Sequence, residues 1–303
     1  MKIGLAGNFS FSVGLGHLFR LKGLQEGISR LTDVVFFSQS PEQSKILETA
    51  GIGHVDISEF DCDRLIYDGR TKIGQLPTNL IQSLDNSVLI DNVENFEPKF
   101  GKSVFPSFYI SSANLKKIQD NFKQSYIGLE YFFIRSSSIQ EIKKPIVTFG
   151  GSDPNNLTQK IANILGDNAV YILGPLYGEQ RRNKLLLSVL PKNIIDAPNN
   201  TYSYLADCTC VITALGTTLQ EVELLNKPCF IIANYIDDFK DYLDIKNCSI
   251  IPENFKGCIH FKDNFNDQVL TFVNENNEIR SAENFDHNLH NSVAANLWME
   301  LLR

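Results

Sequence analysis

Two α/β domains of nucleotide-binding type, facing each other across a cleft, are what this sequence predicts. Three observations carry that expectation. A first apolar strand runs straight into Val13-Gly-Leu-Gly-His-Leu-Phe-Arg20, a glycine-built turn that opens a helix. A second glycine turn, Thr148-Phe-Gly-Gly-Ser-Asp-Pro154, repeats the strand–turn–helix plan halfway along. Apolar strand-length runs alternate with helical periodicity, which implies parallel pairing through right-handed crossovers. With 303 residues the chain is long enough for both domains.

The elements follow in order. Residues 2–6 read as a strand, and 16–31 as a helix through Leu18, Leu21, Leu24, Ile28 and Leu31. A strand at 33–38 precedes a helix at 41–50, which opens with an N-cap and a proline at Ser40-Pro41. Short buried strands at 65–67 and 88–90 each end in a carboxylate, Asp68 and Asp91. In parallel sheets ligands gather at such carboxyl ends. The polar stretch 136–145 ends in proline and reads as a linker, giving a first domain over 1–140. The plan restarts over 141–285: a strand at 145–149, a helix at 156–165, and strands at 169–173 and 210–213. A turn at Gly216, a helix through Leu225 and a strand at 229–233 follow. Residues 286–303 form a terminal helix, amphipathic through Leu289, Val293, Leu297 and Leu301, that holds Trp298 and packs back toward the first domain.

Composition narrows the function. Lys plus Arg is 28 against 35 for Asp plus Glu, a formal charge of -7, the wrong sign for a non-specific nucleic-acid binder. An anionic ligand must then be held by a local site. Cys62, Cys208, Cys210, Cys229, Cys248 and Cys258 contain no CxxC pair and read as reduced core thiols, with Cys208 and Cys210 on one strand face. The first strand begins at once, with no signal-like pattern, and no apolar run reaches about 18 residues, so the chain reads as cytoplasmic.

Gly14 and Gly16 let the backbone approach a ligand, and His17 in the first helical turn brings a side chain that titrates near neutrality, suited to general acid–base work. An ordinary turn with a surface histidine accounts for the same spacing. A dinucleotide fingerprint lacks its third glycine, Phe19 standing there, and no P-loop pattern occurs. Gly150, Gly151 and Ser152 can form an anion nest with Asp153 or Asn155 capping the next helix, or a plain capped turn. Thr217 and Thr218 place hydroxyls at a helix start, with Glu221 one turn in to accept ribose hydroxyls or simply to suit the helix dipole. The acidic run from Asp237 reads as a cation site or, more simply, a solvated helix start. His54, His260, His287 and His290 have surface or capping roles.

Gly14-x-Gly-His17-x-x-Arg20, Phe149-Gly-Gly-Ser-Asp-Pro-x-Asn156-Leu and Gly216-Thr-Thr-x-x-Glu221 together resemble the UDP-sugar hydrolase of pseudaminic acid biosynthesis and its relatives in spore-coat polysaccharide synthesis. More distantly the plan is similar to the transferase that adds N-acetylglucosamine to the peptidoglycan lipid precursor. The resemblance implies a GT-B architecture, a nucleotide-sugar substrate held mainly by the C-terminal domain, no metal and no cofactor. It assigns His17 to activating the attacking water and Gly14 and Gly16 to its loop. Gly150, Gly151, Ser152, Gly216, Thr217, Thr218 and Glu221 fall to the nucleotide. Tyr131 and Arg135 fall to a segment at the domain junction. Asp68 and Asp91 then bind the sugar or orient His17, and Arg20 and Asp237 complete the candidate set. Two departures stand out: Ala6-Gly-Asn8 replaces an acidic stretch, and Asp237-Asp238 replaces an Asn-Gln pair. A glycosyltransferase on the same scaffold, with residues 71–82 as a modest membrane-facing candidate, and a non-enzymatic sugar-nucleotide binder are the competing readings.

Overall fold

The computed structural model describes residues 1–10, 15–59, 61–69, 87–93, 100–107, 110, 112–135, 140–198, 200–234, 236–247, 252–277 and 285–303. Gly14, the 71–82 segment and Cys248 lie outside them. Two compact units emerge, one from Met1–Phe133 with His287–Arg303 and one from Ile134–Asp286. The break therefore precedes the expected position at 140. The reason is local bonding: Asn200 Nδ2 donates to the Arg135 carbonyl, Gln140 N–H to Ser203 O, and Lys143 N–H to Asp207 O.

The first unit is built on seven parallel strands: β1 (Lys2–Gly7), β2 (Asp33–Ser38), β3 (His54–Asp56), β4 (Arg64–Asp68), β5 (Ser87–Ile90), β6 (Phe100–Phe105) and β7 (Phe122–Ile127). Their order is β3-β2-β1-β4-β5-β6-β7, so the winding reverses between β1 and β4. β1 is buried along nearly its whole length, as a parallel strand covered on both faces must be. Its last residue, Gly7, pairs with Asp68, the last of β4. A side-chain carbon at Gly7 would stand 2.8 Å from the Asp68 carbonyl oxygen, so only glycine fits this approach.

The second unit repeats the plan with β8 (Ile146–Thr148), β9 (Val170–Leu173), β10 (Ile194–Asp196), β11 (Val211–Thr213), β12 (Cys229–Ala233) and β13 (Phe255–His260). Their order is β10-β9-β8-β11-β12-β13, reversing between β8 and β11. Val147, Leu157, Ile161, Tyr171, Ile212, Ile232 and Val269 join one buried core.

Two expectations change. The terminal helix His287–Leu302 buries Ala294, Ala295, Trp298, Leu301 and Leu302, whereas Leu289 and Val293 are exposed. Its inner face is set by Trp298, whose indole N–H donates to Tyr131 O at 3.0 Å, and by the His290 ring, whose Nε2 lies 2.8 Å from Phe132 O. Cys208 and Cys210 both precede β11 and share no strand face, although both are buried and free.

Candidate functional site

In an open doubly wound sheet the crevice outside the strand ends, at the point where the winding reverses, is where ligands bind. Both units place candidate residues there.

In the first unit the helix Gly16–Ile28 leaves β1 beside the end of β4. His17 and Arg20 lie one turn apart on its face and both reach Asp68. Asp68 is fully buried. Arg20 grips it with two parallel bonds, Nε to Oδ2 at 2.7 Å and Nη2 to Oδ1 at 2.5 Å. Nη2 also reaches Asp91 Oδ2 at 3.3 Å. Burial alone would raise the Asp68 carboxyl, but the Arg20 guanidinium and His17 outweigh it and hold it below the usual carboxylate range. Burial likewise opposes the Arg20 charge, and Asp68 more than restores it.

That ionised carboxylate only accepts hydrogen bonds. His17 Nδ1, 2.7 Å from Asp68 Oδ1, must therefore carry the proton between them. The 3.1 Å approach of Arg20 Nη2 to the same nitrogen then brings two donors together and is no hydrogen bond. With Nδ1 committed, Nε2 is the nitrogen left for chemistry, on a side chain that is 22% exposed. This is the geometry of an oriented general base. Asp91, with φ of 54°, is held in the left-handed region unusual for a non-glycine residue. Its side chain is partly exposed and sits beside the charged pair.

Of the two uses expected for Asp68, orienting His17 fits; burial leaves it no face for a sugar. Arg20 is likewise held within the carboxylate pair. The Tyr131 ring packs edge-on against Trp298 at 6.5 Å, and its carbonyl takes the indole N–H.

In the second unit the Gly150–Asp153 turn follows β8, and the helix Thr217–Leu224 follows β11 after Gly216. Gly150 has φ of 73°, open to glycine without strain. Asp153 caps the helix Leu157–Leu165, accepting from Leu157 N–H at 2.9 Å and Thr158 N–H at 2.8 Å. Asn155 instead donates to the Asn234 carbonyl. The first N–H groups of Thr217–Leu224 have no acceptor within their own helix. Thr217 and Thr218 are half-buried there, and a side-chain carbon at Gly216 would meet only open space. Glu221, one turn in, is buried. Burial lifts its carboxyl to about 7, and the Arg135 guanidinium opposes this only in part. Asp237 lies in the first turn of the helix Ile236–Asn247, the helix start that its acidic run suggests.

Among the described residues no group of three or more His, Cys, Asp or Glu side chains is placed to hold a metal ion. None of their helices is long and apolar enough to cross a membrane. Sequence reasoning missed Arg181, whose guanidinium holds the carbonyls of Ser152 and Asp153. Only its position shortly after the second strand of the unit could have drawn attention to it.

Two doubly wound, wholly parallel sheets are the α/β architecture of GT-B glycosyltransferase structures. The glycotransferase of kitacinnamycin superimposes with a TM-score of 0.59 at 14% identity, covering 100% of this chain and 99% of that one. The spinosyn rhamnosyltransferase SpnG, solved with thymidine diphosphate, gives 0.54 at 12% identity, covering 98% and 96%. In sequence the chain is 21% identical to the spore coat polysaccharide biosynthesis protein SpsG of Bacillus subtilis over 267 residues, 77% of each chain. It is 23% identical to the uncharacterized protein MJ1062 of Methanocaldococcus jannaschii over 268 residues, 77% of this chain. That match spans only 55% of the archaeal protein, about half its length. No protein-family model matches the chain.

Proposed function

We propose that this protein is a glycosyltransferase that takes its sugar from a nucleoside diphosphate donor, in polysaccharide biosynthesis. The observation that carries the reading is the His17–Asp68 contact at 2.7 Å, which commits Nδ1 and leaves Nε2 as a base. In this scheme Nε2 takes the proton of an acceptor hydroxyl as its oxygen attacks the anomeric carbon. The bond from that carbon to the diphosphate oxygen breaks, and the diphosphate leaves with the electron pair. N–H groups of the 150–153 turn and of the Thr217–Leu224 start stabilise the growing negative charge. Glu221 takes the ribose hydroxyls. Two similarities support the donor class: SpsG is a polysaccharide biosynthesis protein, and SpnG is solved with thymidine diphosphate.

The ordered Gly-x-Gly-His17 and Gly-Gly-Ser-Asp-Pro motifs favour a second reading, in which water replaces the acceptor and the enzyme is a UDP-sugar hydrolase like that of pseudaminic acid synthesis. One assay separates them. Purified protein is incubated with UDP-sugars and TDP-sugars, with and without saccharide acceptors, and free nucleoside diphosphate is followed. The transferase reading expects release that depends on an acceptor. Rapid release without one favours the hydrolase, and no release under any condition contradicts both.

A further inference from the structure

We infer that Arg181 is a positioning residue that aims the N–H groups of the 150–153 turn at a diphosphate. This rests on the nucleotide-donor reading above and adds a residue that touches no ligand. Arg181 lies in the helix Glu179–Leu185, beyond β9. Among the described residues its guanidinium donates to backbone carbonyls alone: Nε to Tyr177 at 2.5 Å, Nη1 to Asp153 at 2.6 Å, Nη2 to Ser152 at 2.7 Å and to Leu176 at 3.2 Å. The group also stacks 4.5 Å from the Tyr177 ring centre, and the Tyr177 hydroxyl bonds Asn156 Oδ1 at 3.2 Å. The turn is thus fastened at both ends.

A trans peptide holds each C=O opposite the next residue's N–H. Fixing the Ser152 carbonyl on Arg181 therefore turns the Asp153 N–H the other way. The Gly151 carbonyl accepts from Leu176 N–H at 2.9 Å, which turns the Ser152 N–H likewise. The Gly150 carbonyl lies against Gly174, where a side-chain carbon would collide with it, and this orients the Gly151 N–H. Three successive N–H groups face away from the Gly174–Arg181 segment, and none has an acceptor among the described residues. Such a run is an anion-binding nest. Arg181 also engages the Ser152 and Asp153 carbonyls, whose oxygens would repel an anion if they turned toward it.

The test is calorimetric titration of the full chain and of Arg181→Gln and Arg181→Lys with UDP and TDP, and with uridine and thymidine. A single ammonium cannot span four carbonyls, so both variants are informative. Arg181→Gln is expected to weaken diphosphate binding about 10-fold or more while nucleoside binding stays unchanged, since only the donors to the charged group are misaimed. Arg181→Lys should recover part of the loss, and it carries the test if Arg181→Gln does not fold. Equal losses for nucleoside and nucleotide would make Arg181 merely structural and overturn the inference, as would wild-type affinity in both variants. Wild-type protein that binds neither diphosphate overturns the donor reading together with this inference; binding that ignores Arg181 overturns the inference alone.

Discussion

The two reversal points use opposite chemistry. In the first unit, charged side chains meet in a buried cluster: Asp68 holds His17 and Arg20, and Arg20 reaches on to Asp91. In the second unit the turn is lined by backbone; its own buried carboxylate, Asp153, is taken up in capping the next helix, and burial lifts the carboxyl of Glu221 to about 7. Side chains that move protons need a tuned electrostatic setting, whereas recognition of an anion needs only fixed N–H dipoles. The two regions also differ in the sign of their response to pH. The Asp68 carboxyl is held low, so its stabilisation is present above the ordinary aspartate range and is lost as pH falls through its folded value. The Glu221 carboxyl is raised from 4.5, so its stabilisation is complete below 4.5 and is lost as pH rises through about 7.

The sharpest way to break the contrast is to remove the buried anion. Asp68→Asn leaves the Arg20 guanidinium without its main partner and should cost about 3–5 kcal/mol of stability in urea unfolding at pH 7. A loss below about 1 kcal/mol would mean that the cluster does not depend on this charge. His17→Ala, by contrast, takes only one donor from the buried Asp68 carboxylate and should cost about 1–3 kcal/mol in unfolding, while lowering turnover of a nucleotide-sugar by about 100-fold or more. Retained turnover would remove His17 from the reaction.

In the second unit Glu221→Gln should stabilise the protein at pH 8 by up to about 3 kcal/mol, the linkage value of a carboxyl raised from 4.5 to about 7. The gain should vanish by pH 4, below the ordinary glutamate value. A gain independent of pH would show that Glu221 is not the titrating group. Gly174→Ala would drive a methyl group into the carbonyls of Gly150 and Gly151. Overpacking of that kind costs about 1–3 kcal/mol, visible as a lower urea midpoint. Arg182→Gln is expected to do least. Its pair with Asp196 is on the surface, where water and salt screen the attraction and little stability is at stake. A larger loss would mean that Arg182, like its neighbour Arg181, holds more of the fold than one exposed carboxylate.

Sequence patterns reveal the inner strands well, because β9 and β12 are apolar along their length, β1 and β5 all but for a polar first residue, and all four are buried on both faces beyond Lys2. The edge strand β7, Phe-Lys-Gln-Ser-Tyr-Ile, is mostly exposed and carries no apolar run to mark it. The terminal helix misleads for a related reason: Leu289 and Val293 keep helical spacing, yet the Trp298 and Ala294 face is the one that packs. At the candidate site, His17 and Asp68 are each legible as residues at a helix start and a strand end. Their contact is not, since it joins positions 51 apart and exists only because β4 pairs beside β1. Arg181 is the extreme case. It lies in the polar segment Glu-Gln-Arg-Arg-Asn-Lys-Leu, and backbone carbonyls leave no side-chain signature.

Crystals grown with UDP or TDP test the central claim most directly. Density for the diphosphate is expected within hydrogen-bond distance of the N–H groups of Gly151, Ser152, Asp153, Thr217 and Thr218, with the ribose hydroxyls on Glu221. Nucleotide bound elsewhere, with those N–H groups facing only solvent at millimolar ligand, would contradict it.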